Sequence, residues 1–234
     1  MPLRNAPAAY LAQARDLAGN EGQLAAFEST GHCVVLAGPG SGKTKTLVLK
    51  LAKILAEDVR APRGAACITY SQECARELAR RLEPLGLRDA PNLFIGTVHG
   101  FCLRHLLMPY ARLARLPTSY PLTMATQRQS DILVKSTGER LFGQRHPHKP
   151  MDLNRHRRSV LDRTSNDWSS EPELSAWAAA YESALRRARL LDYDDLIVFG
   201  HQLVSEHDWV LPLVQAKFPI LAVDEYQDLG VALQ

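Results

Sequence analysis

The sequence predicts an α/β protein, in which a parallel sheet with helices on both faces is interrupted by a helical insertion. Short apolar runs alternate with stretches of helical spacing over residues 1–108, and the pattern returns over residues 191–234. Between them, residues 109–190 show helical spacing but no clear run typical of a strand. We therefore predict one discontinuous domain, 1–108 and 191–234, with a helical subdomain inserted at 109–190.

The individual elements follow from periodicity and from the glycines that bound them. A Cys-Val-Val-Leu run between glycines predicts a buried strand at 32–37, and the helical spacing behind it predicts a helix at 43–57. The remaining predicted strands are 65–70, 93–98 and 219–223, and the remaining predicted helices are 8–18, 22–28, 72–82, 100–107, 128–142, 174–190 and 192–204. Strands that alternate with helices imply βαβ units and hence a parallel sheet.

The composition excludes several classes of protein. Hydrophobic residues make up 46% and charged residues 23%, as in globular proteins rather than collagen-like or disordered chains. No apolar run approaches the ~20 residues of a membrane-spanning helix, and residues 1–20 lack the apolar core of a signal peptide. The four cysteines form no C-x-x-C pair, which argues against zinc and thioredoxin-type sites. We therefore expect a reduced, cytoplasmic protein without a membrane partner.

Positive charge is concentrated in the predicted insertion. Residues 110–190 carry 14 lysines and arginines against 8 aspartates and glutamates, whereas the rest of the chain is slightly acidic. The densest part, 144–158, has five basic residues and one aspartate. Two interpretations remain open for this segment: sequence-independent contacts to the phosphates of DNA, or a flexible, solvated loop.

A phosphate-binding loop follows the first predicted strand. It is a relaxed form of the P-loop pattern, because Ala37 stands where the strict pattern has glycine. Glycines let backbone N–H groups turn toward an anion at the positive end of the next helix. The candidate nucleotide-binding residues here are Ala37, Gly38, Pro39, Gly40, Ser41, Gly42, Lys43, Thr44 and Lys45. We predict that Lys43 reaches the β- and γ-phosphates and that Thr44 ligates Mg²⁺; the alternative is a glycine-rich turn without a ligand.

Two acidic residues end the last predicted strand. Asp224 and Glu225 directly follow the apolar run 220–223. Asp224 is the candidate Mg²⁺ ligand, and Glu225 is the candidate base that orients and deprotonates an attacking water. The pair favours hydrolysis of a nucleoside triphosphate over phosphoryl transfer to a small molecule. Lys43, Asp224 and Glu225 are therefore the candidate catalytic residues, although an acidic dipeptide alone is more often a solvated loop.

These segments occur in an order that resembles one known family, the UvrD/Rep/PcrA-like superfamily I DNA helicases. The matching segments are 20–23 (Q motif), 37–44 (motif I), 68–78 (motif Ia), 96–101 (motif Ib), 191–196 (the segment before motif II) and 224–228 (motif II, Asp-Glu-Tyr-Gln-Asp). They cover essentially the whole chain. The resemblance implies that Gln23, the glutamine of the Q motif, contacts adenine and joins the nucleotide-binding residues.

The resemblance implies an ATP-dependent DNA helicase, an ATP hydrolase that uses ATP and Mg²⁺ to move along single-stranded DNA. It also implies a P-loop NTPase of RecA-like fold, with 1–108 and 191–234 as domain 1A and 109–190 as subdomain 1B near duplex DNA.

Four residues would line the path of the single strand by this resemblance: Tyr70, Ser71, Thr97 and His99. Hydroxyls and backbone amides bind phosphates, and an aromatic ring stacks on a base without sequence preference. Taken singly, Tyr70 is more typical of a packing residue and His99 of a helix cap, and it is the family order that favours DNA binding.

The sequence departs from the family pattern at several places. Gln72 and Cys74 stand where relatives often have Lys and Ala, and Leu229-Gly230 stands where they often have Thr-Asn. The chain ends at Gln234, before the family's second RecA-like domain and its arginine finger. We therefore expect this chain alone to bind Mg²⁺-ATP weakly and not to unwind DNA, the second domain being supplied in cis or in trans.

The sequence leaves two other functions to compare with that of a helicase. One is a non-catalytic remnant that binds nucleic acid or a partner without turnover, and it remains open. The other is an unrelated P-loop enzyme such as a small-molecule kinase, which Glu225 beside Asp224 disfavours.

Overall fold

The computed structural model describes residues 6–38, 40–87, 90–143 and 147–229. Its internal contacts divide the chain into two compact units. The first unit comprises residues 1–97 and 213–228, and the second comprises residues 98–212 and 229–234. The predicted insertion, 109–190, lies within the second unit, and its bounds stay a prediction.

The first unit is built around a small parallel sheet. Among the described residues its strands are β1 (Ala65–Thr69), β2 (Leu93–Thr97) and β3 (Ile220–Val223), in the order β2-β1-β3. β1 is central, because Ala65 is in register with Leu93 on one side and with Ile220 on the other. The predicted parallel α/β arrangement is thus confirmed for three of the predicted strands.

Helices pack around this sheet and enclose the core of the first unit. They are α1 (Ala6–Ala14), α2 (Glu21–Glu28), α3 (Lys43–Lys53) and α4 (Gln72–Leu82), with a π-helical turn at Ile54–Asp58 and 3-10 turns at Arg15–Gly19 and Glu83–Leu85. Leu49 and Leu51 of α3 are buried with Leu78 and Leu82 of α4 in one cluster. Burial of these leucines fixes α3, whose first residue, Lys43, belongs to the phosphate loop.

The predicted strand at 32–37 is wrong. The segment forms no strand, and the side chains of Val34 and Leu36 are 85% and 91% exposed. An apolar run becomes a buried strand only where a neighbouring strand accepts its backbone hydrogen bonds. Within the described part of the chain, β3 is an edge strand of the sheet, and the run at 32–37 is not paired with it.

The second unit is helical. Its helices are α5 (Val98–Phe101), α6 (Met108–Tyr110), α7 (Gln127–Phe142), α8 (Pro150–Ser159), α9 (Asn166–Ser169), α10 (Pro172–Arg187) and α11 (Tyr193–Glu206), with a π-helical turn at Cys102–Leu107; α12 (Val210–Lys217) continues into the first unit. Leu153, Trp177, Tyr181 and Leu185 form its core with neighbouring apolar residues. Over the ranges that the structure describes, no helix combines the length and apolarity needed to cross a membrane.

The basic segment 144–158 is helical over most of its described residues, and its contacts with the phosphates of DNA stay a prediction. Residues 144–146 lie outside the described residues, and residues 150–158 belong to α8, so a flexible loop is wrong for them. Arg157 is fully buried among carboxylates, so it is not a phosphate contact in this structure. Proline at the first position of α8 and Asp152 near its start favour the helix.

Candidate functional site

The phosphate loop leads into the N-terminus of α3 and depends on glycine. Gly40 and Gly42 adopt positive φ values of 75° and 84°. Gly42 is also the N-cap of α3, and a Cβ atom there would lie 2.6 Å from Nε2 of Gln23. Ser41 tightens the loop, because its Oγ donates a hydrogen bond to the carbonyl oxygen of Gly38 at 2.7 Å. Position 42 therefore requires glycine for its positive φ, and a side chain there would also displace the end of the Gln23 side chain.

Lys43 lies over the loop's own backbone. Its Nζ donates hydrogen bonds to the carbonyl oxygens of Ala37 at 2.7 Å and of Gly38 at 3.2 Å. These acceptors are neutral, so they do not cancel the charge of the ammonium group, which adds to the positive end of the α3 dipole. Lys45, by contrast, forms an ion pair with Asp16 at 3.1 Å. Pro39, also predicted as a nucleotide contact, lies outside the described residues.

Gln23 contacts the phosphate loop directly. Its Nε2 donates a hydrogen bond to the carbonyl oxygen of Ser41 at 2.6 Å. The position of Gln23 is fixed by the start of α2, where the side chain of Asn20 caps the helix and accepts from the backbone N–H of Gln23 at 3.1 Å. The structure thus brings the glutamine of the predicted Q motif onto the predicted phosphate loop.

A cavity of about 340 Å³ lies at this loop. It is lined by residues 40–45, Arg81 and Glu225. Its size is within the range of small-molecule sites. Arg81 was not predicted as a site residue, because it is one of two arginines in the last turn of α4, where basic residues commonly complement the helix dipole.

Asp224 and Glu225 lie at the carboxyl end of β3. The backbone N–H of Asp224 donates to the carbonyl oxygen of Ile68 at 2.8 Å, which extends the pairing of β3 with β1. Burial and then the charge of Glu225 raise the pKa of Asp224, and the charge of Lys43 acts in the opposite direction. Glu225 has a positive φ of 52°, a strained conformation for a residue other than glycine. The cavity therefore collects Lys43, Thr44 and Glu225, with Asp224 half-buried within the electrostatic reach of Lys43.

The donor atoms at this cavity suit Mg²⁺ bound together with phosphates. The Thr44 hydroxyl and the Asp224 carboxylate are oxygen donors, which Mg²⁺ prefers. Across the described part of the chain, no group of three or more His, Cys, Asp or Glu side chains could hold a metal ion by itself. A magnesium ion here would depend on oxygen atoms of its substrate as well, as is usual for this ion.

Three of the predicted DNA-binding residues lie at the carboxyl edge of the sheet. Thr69 and Thr97 are in register as the last residues of β1 and β2, and Tyr70 and Ser71 follow β1. Tyr70 is 60% exposed, which argues against a packing role, whereas Thr97 is only 4% exposed. The Ser71 hydroxyl caps α4 by accepting from the backbone N–H of Cys74 at 3.1 Å.

The fourth predicted DNA-binding residue, His99, belongs to the second unit. Its ring is stacked on Tyr193, with centroids 3.8 Å apart and an angle of 17° between the planes. Burial and then the charge of Arg158 lower the pKa of His99 to about 4, so the ring is neutral at pH 7. Tyr193 is 52% exposed and borders a cavity of about 310 Å³ that Arg158 and Asp194 also line.

Tyr193 was not predicted as a site residue, although it lies inside the segment 191–196. The signal in the sequence was an aromatic residue between two aspartates at the start of a predicted helix. An aromatic ring with one accessible face suits stacking on a base.

Comparisons with known proteins agree with the motif order. Residues 19–233 match the UvrD/REP helicase N-terminal domain. The ATP-dependent DNA helicase Rep of Salmonella typhimurium is 30% identical over 231 residues, which cover 91% of this chain and 32% of that protein. Rep of Escherichia coli is 30% identical over 227 residues with the same coverage, and the ATP-dependent DNA helicase PcrA of Staphylococcus epidermidis is 28% identical over 221 residues, covering 91% of this chain and 30% of that protein.

The chain therefore spans about a third of the length of the curated relatives it matches. The domain match, by contrast, covers nearly all of the chain. Through this match, the chain belongs to the UvrD/Rep helicase family, in its N-terminal domain.

Proposed function

We propose that this chain is the ATP-binding and single-stranded-DNA-binding part of an ATP-dependent DNA helicase. The observation that carries the proposal is the cavity of residues 40–45 and Glu225, where the Lys43 ammonium group donates to two backbone carbonyl oxygens and forms no ion pair within the described residues. The family membership supports a RecA-like P-loop NTPase domain formed by 1–108 and 191–234, with subdomain 1B at 109–190. The four cysteines are free thiols, in keeping with a reducing, cytoplasmic location.

The residues at the cavity divide the chemistry of ATP hydrolysis among them. Lys43 neutralises charge on the β- and γ-phosphates. Gln23 binds the loop through Ser41, and the resemblance implies that the same side chain contacts adenine. Thr44 and Asp224 supply the oxygen donors for Mg²⁺, which offsets the charge of the phosphates when bound. Glu225 accepts a proton from the attacking water and orients it. Its strained backbone is typical of a residue held in place for function.

The DNA-binding residues act without reading sequence. Tyr70 presents an exposed ring to a base, and Ser71 lies where backbone and hydroxyl groups can bind phosphates, whereas Thr97 is buried at the same edge of the sheet. His99 and Tyr193 contribute a stacked aromatic pair from the second unit. Because the pKa of His99 is about 4, this pair acts at neutral pH through stacking rather than through charge.

The test is the affinity of the chain for a labelled oligothymidine, measured by fluorescence anisotropy with and without Mg²⁺-ATP. We expect binding that Tyr70→Ala weakens at least fivefold, and an affinity that changes when Mg²⁺-ATP is added to the wild type but not to Lys43→Ala. DNA binding that ignores ATP in every variant would favour the non-catalytic remnant. Absence of binding to both ligands would overturn the proposal.

Turnover by this chain alone is expected to be slow. Phosphoryl transfer in this class depends on an arginine that stabilises the transition state, worth 10³–10⁵-fold in rate. Of the described arginines, only Arg81 lines the nucleotide cavity, and its Nε donates to Glu77 at 2.7 Å. We therefore expect residues 1–234 by themselves to hydrolyse ATP slowly and not to unwind duplex DNA. By the same resemblance, we propose duplex DNA as a partner of subdomain 1B.

A further inference from the structure

The second unit holds a cluster of buried charges that the proposed function does not use. Arg157 is 0% exposed and makes charged contacts with four carboxylates: Nη1 to Asp192 at 2.6 Å and to Asp194 at 3.9 Å, Nη2 to Asp195 at 3.2 Å and Nε to Glu182 at 3.0 Å. The hydroxyl of Tyr181 also donates to Asp192, at 2.9 Å. Burial opposes ionisation of Asp192, but the charge of Arg157 outweighs it and lowers the pKa of that carboxyl. These contacts join α8, α10 and the start of α11.

Tyr193 lies between two acidic residues that α8 holds. Arg157 binds Asp192, and the next residue, Arg158, binds Asp194 through Nε at 2.9 Å. Both chain neighbours of Tyr193 are thus tethered by consecutive arginines of one helix. The backbone of Tyr193 is therefore held in place, and with it the point from which the ring extends toward His99.

The start of α11 adds a second restraint on the same turn. The side chain of Asp192 accepts from the backbone N–H of Asp195 at 2.8 Å, and the side chain of Asp195 accepts from the backbone N–H of Asp192 at 2.9 Å. This reciprocal cap fixes the backbone immediately before Tyr193. Arg157 contacts both carboxylates of the cap, whereas Arg186, which also pairs with Asp195, contacts one of them.

We propose that Arg157 is a positioning residue for single-stranded DNA, which holds the turn at Asp192 so that the ring of Tyr193 stays stacked on His99 as one platform. The inference rests on the proposed function, and it goes further by assigning DNA affinity to a residue that does not touch DNA. If Arg157 served stability alone, the stack would survive its removal in any variant that still folds.

The first readout does not involve DNA: it is the NMR chemical shift of the ring protons of His99. In the wild type, the ring centroids of His99 and Tyr193 lie 3.8 Å apart, so we expect the ring of Tyr193 to move the chemical shifts of these protons upfield. The variant Tyr193→Leu gives the reference chemical shifts of His99 without a stacked ring. We expect Arg157→Met to lose at least half of the difference between these limits. Arg155→Met is the matched control, because Arg155 is an exposed arginine of the same helix that pairs with Asp152, and it should leave the shifts of His99 unchanged.

A second variant keeps the test decisive if Arg157→Met does not fold. Asp192→Asn retains a good N-cap acceptor but removes one of the charges that hold Arg157. We expect it to lose part of the upfield shift of His99 in a chain whose circular dichroism is that of the wild type. Arg157→Lys, which restores the charge without the forked geometry, should regain part of the shift. Wild-type chemical shifts of His99 in Asp192→Asn, and in Arg157→Met if that variant folds, would overturn the inference.

The second readout is the affinity for a labelled oligothymidine, compared with the affinity for Mg²⁺-ATP in the same preparation. We expect Arg157→Met, or Asp192→Asn if the first does not fold, to lose five- to tenfold in DNA affinity while Mg²⁺-ATP affinity is unchanged. A wild type that does not bind oligothymidine would contradict the proposed function, and the positioning role would fall with it. A wild type that binds, with variants that bind equally well although the stack is lost, would overturn only the inference.

Discussion

The phosphate loop and the cluster around Arg157 both gather charged groups, but they leave them in opposite states. In the loop, the hydrogen bonds of Lys43 to described residues go to the neutral carbonyl oxygens of Ala37 and Gly38. In the cluster, Arg157 is buried and surrounded by carboxylates. A binding site keeps charge available for a ligand, whereas a structural cluster satisfies its charges internally. This difference separates a candidate ligand contact from a candidate positioning residue when both are basic.

The largest effect we expect comes from breaking the buried cluster. Arg157→Met removes the arginine that pairs with the buried Asp192, and we expect the free energy of unfolding of the second unit to fall by about 3–5 kcal/mol. All three tryptophans, Trp168, Trp177 and Trp209, belong to this unit, so urea denaturation followed by tryptophan fluorescence reports on it selectively.

The matched control for this experiment is Arg155→Met. Arg155 forms an exposed pair with Asp152, and exposed pairs contribute roughly 0–1 kcal/mol. If both variants lost equal stability, the contrast between buried and exposed arginines on α8 would be wrong.

An intermediate effect is expected from the glycines of the phosphate loop. Gly40→Ala forces a positive φ on alanine, at a cost of about 1–2 kcal/mol. Gly42→Ala carries the same strain and also displaces Gln23 from its hydrogen bond with Ser41, which adds about 1 kcal/mol. We therefore expect Gly42→Ala to weaken Mg²⁺-ATP binding more than Gly40→Ala, as measured by calorimetric titration. Equal losses would show that Gln23 does not hold the loop.

The smallest effect concerns the pH dependence of the second unit. The pKa of His99 is lowered to about 4 in the folded state, so between pH 6.5 and pH 4 the unfolded chain binds a proton there that the folded chain does not. Stability therefore falls as the pH is lowered through this range. After allowance for partial exposure, we expect the wild type to lose about 1 kcal/mol more than His99→Asn between pH 7 and pH 5. Urea denaturation at both pH values measures this difference, and identical pH dependence in the two proteins would place His99 in an ordinary, hydrated environment.

The phosphate loop could be predicted from sequence because its residues are contiguous. Glycines at 40 and 42, followed by Lys43, specify a curved backbone before a helix by local chemistry alone. The strands at β1, β2 and β3 were predicted for a similar reason, since each is a short apolar run next to a helical segment. The same rule failed at 32–37, where the run found no pairing partner in the described sheet.

The cluster around Arg157 could not be predicted, because it is assembled from distant segments. Arg157 and Asp192 are 35 positions apart, on different helices, and only the packing of α8 against α10 brings their groups together. In the sequence Arg157 is one of several basic residues in 144–158, and nothing local distinguishes it from the exposed Arg155. Arg81 escaped prediction for the same reason, since its place at the nucleotide cavity depends on where α4 ends.

The measurement that tests the central claim most directly is a calorimetric titration of Mg²⁺-ATP into the wild type, Lys43→Ala and Lys45→Ala. Lys45 is the comparison, because it lines the same cavity two residues away but its ammonium group pairs with Asp16 at 3.1 Å. Loss of a charge-assisted contact of up to ~3 kcal/mol predicts that Lys43→Ala weakens binding by about 100-fold, with Lys45→Ala weakening it less than about threefold. Equal affinity of the wild type and Lys43→Ala for Mg²⁺-ATP would contradict the assignment of this loop as the nucleotide site.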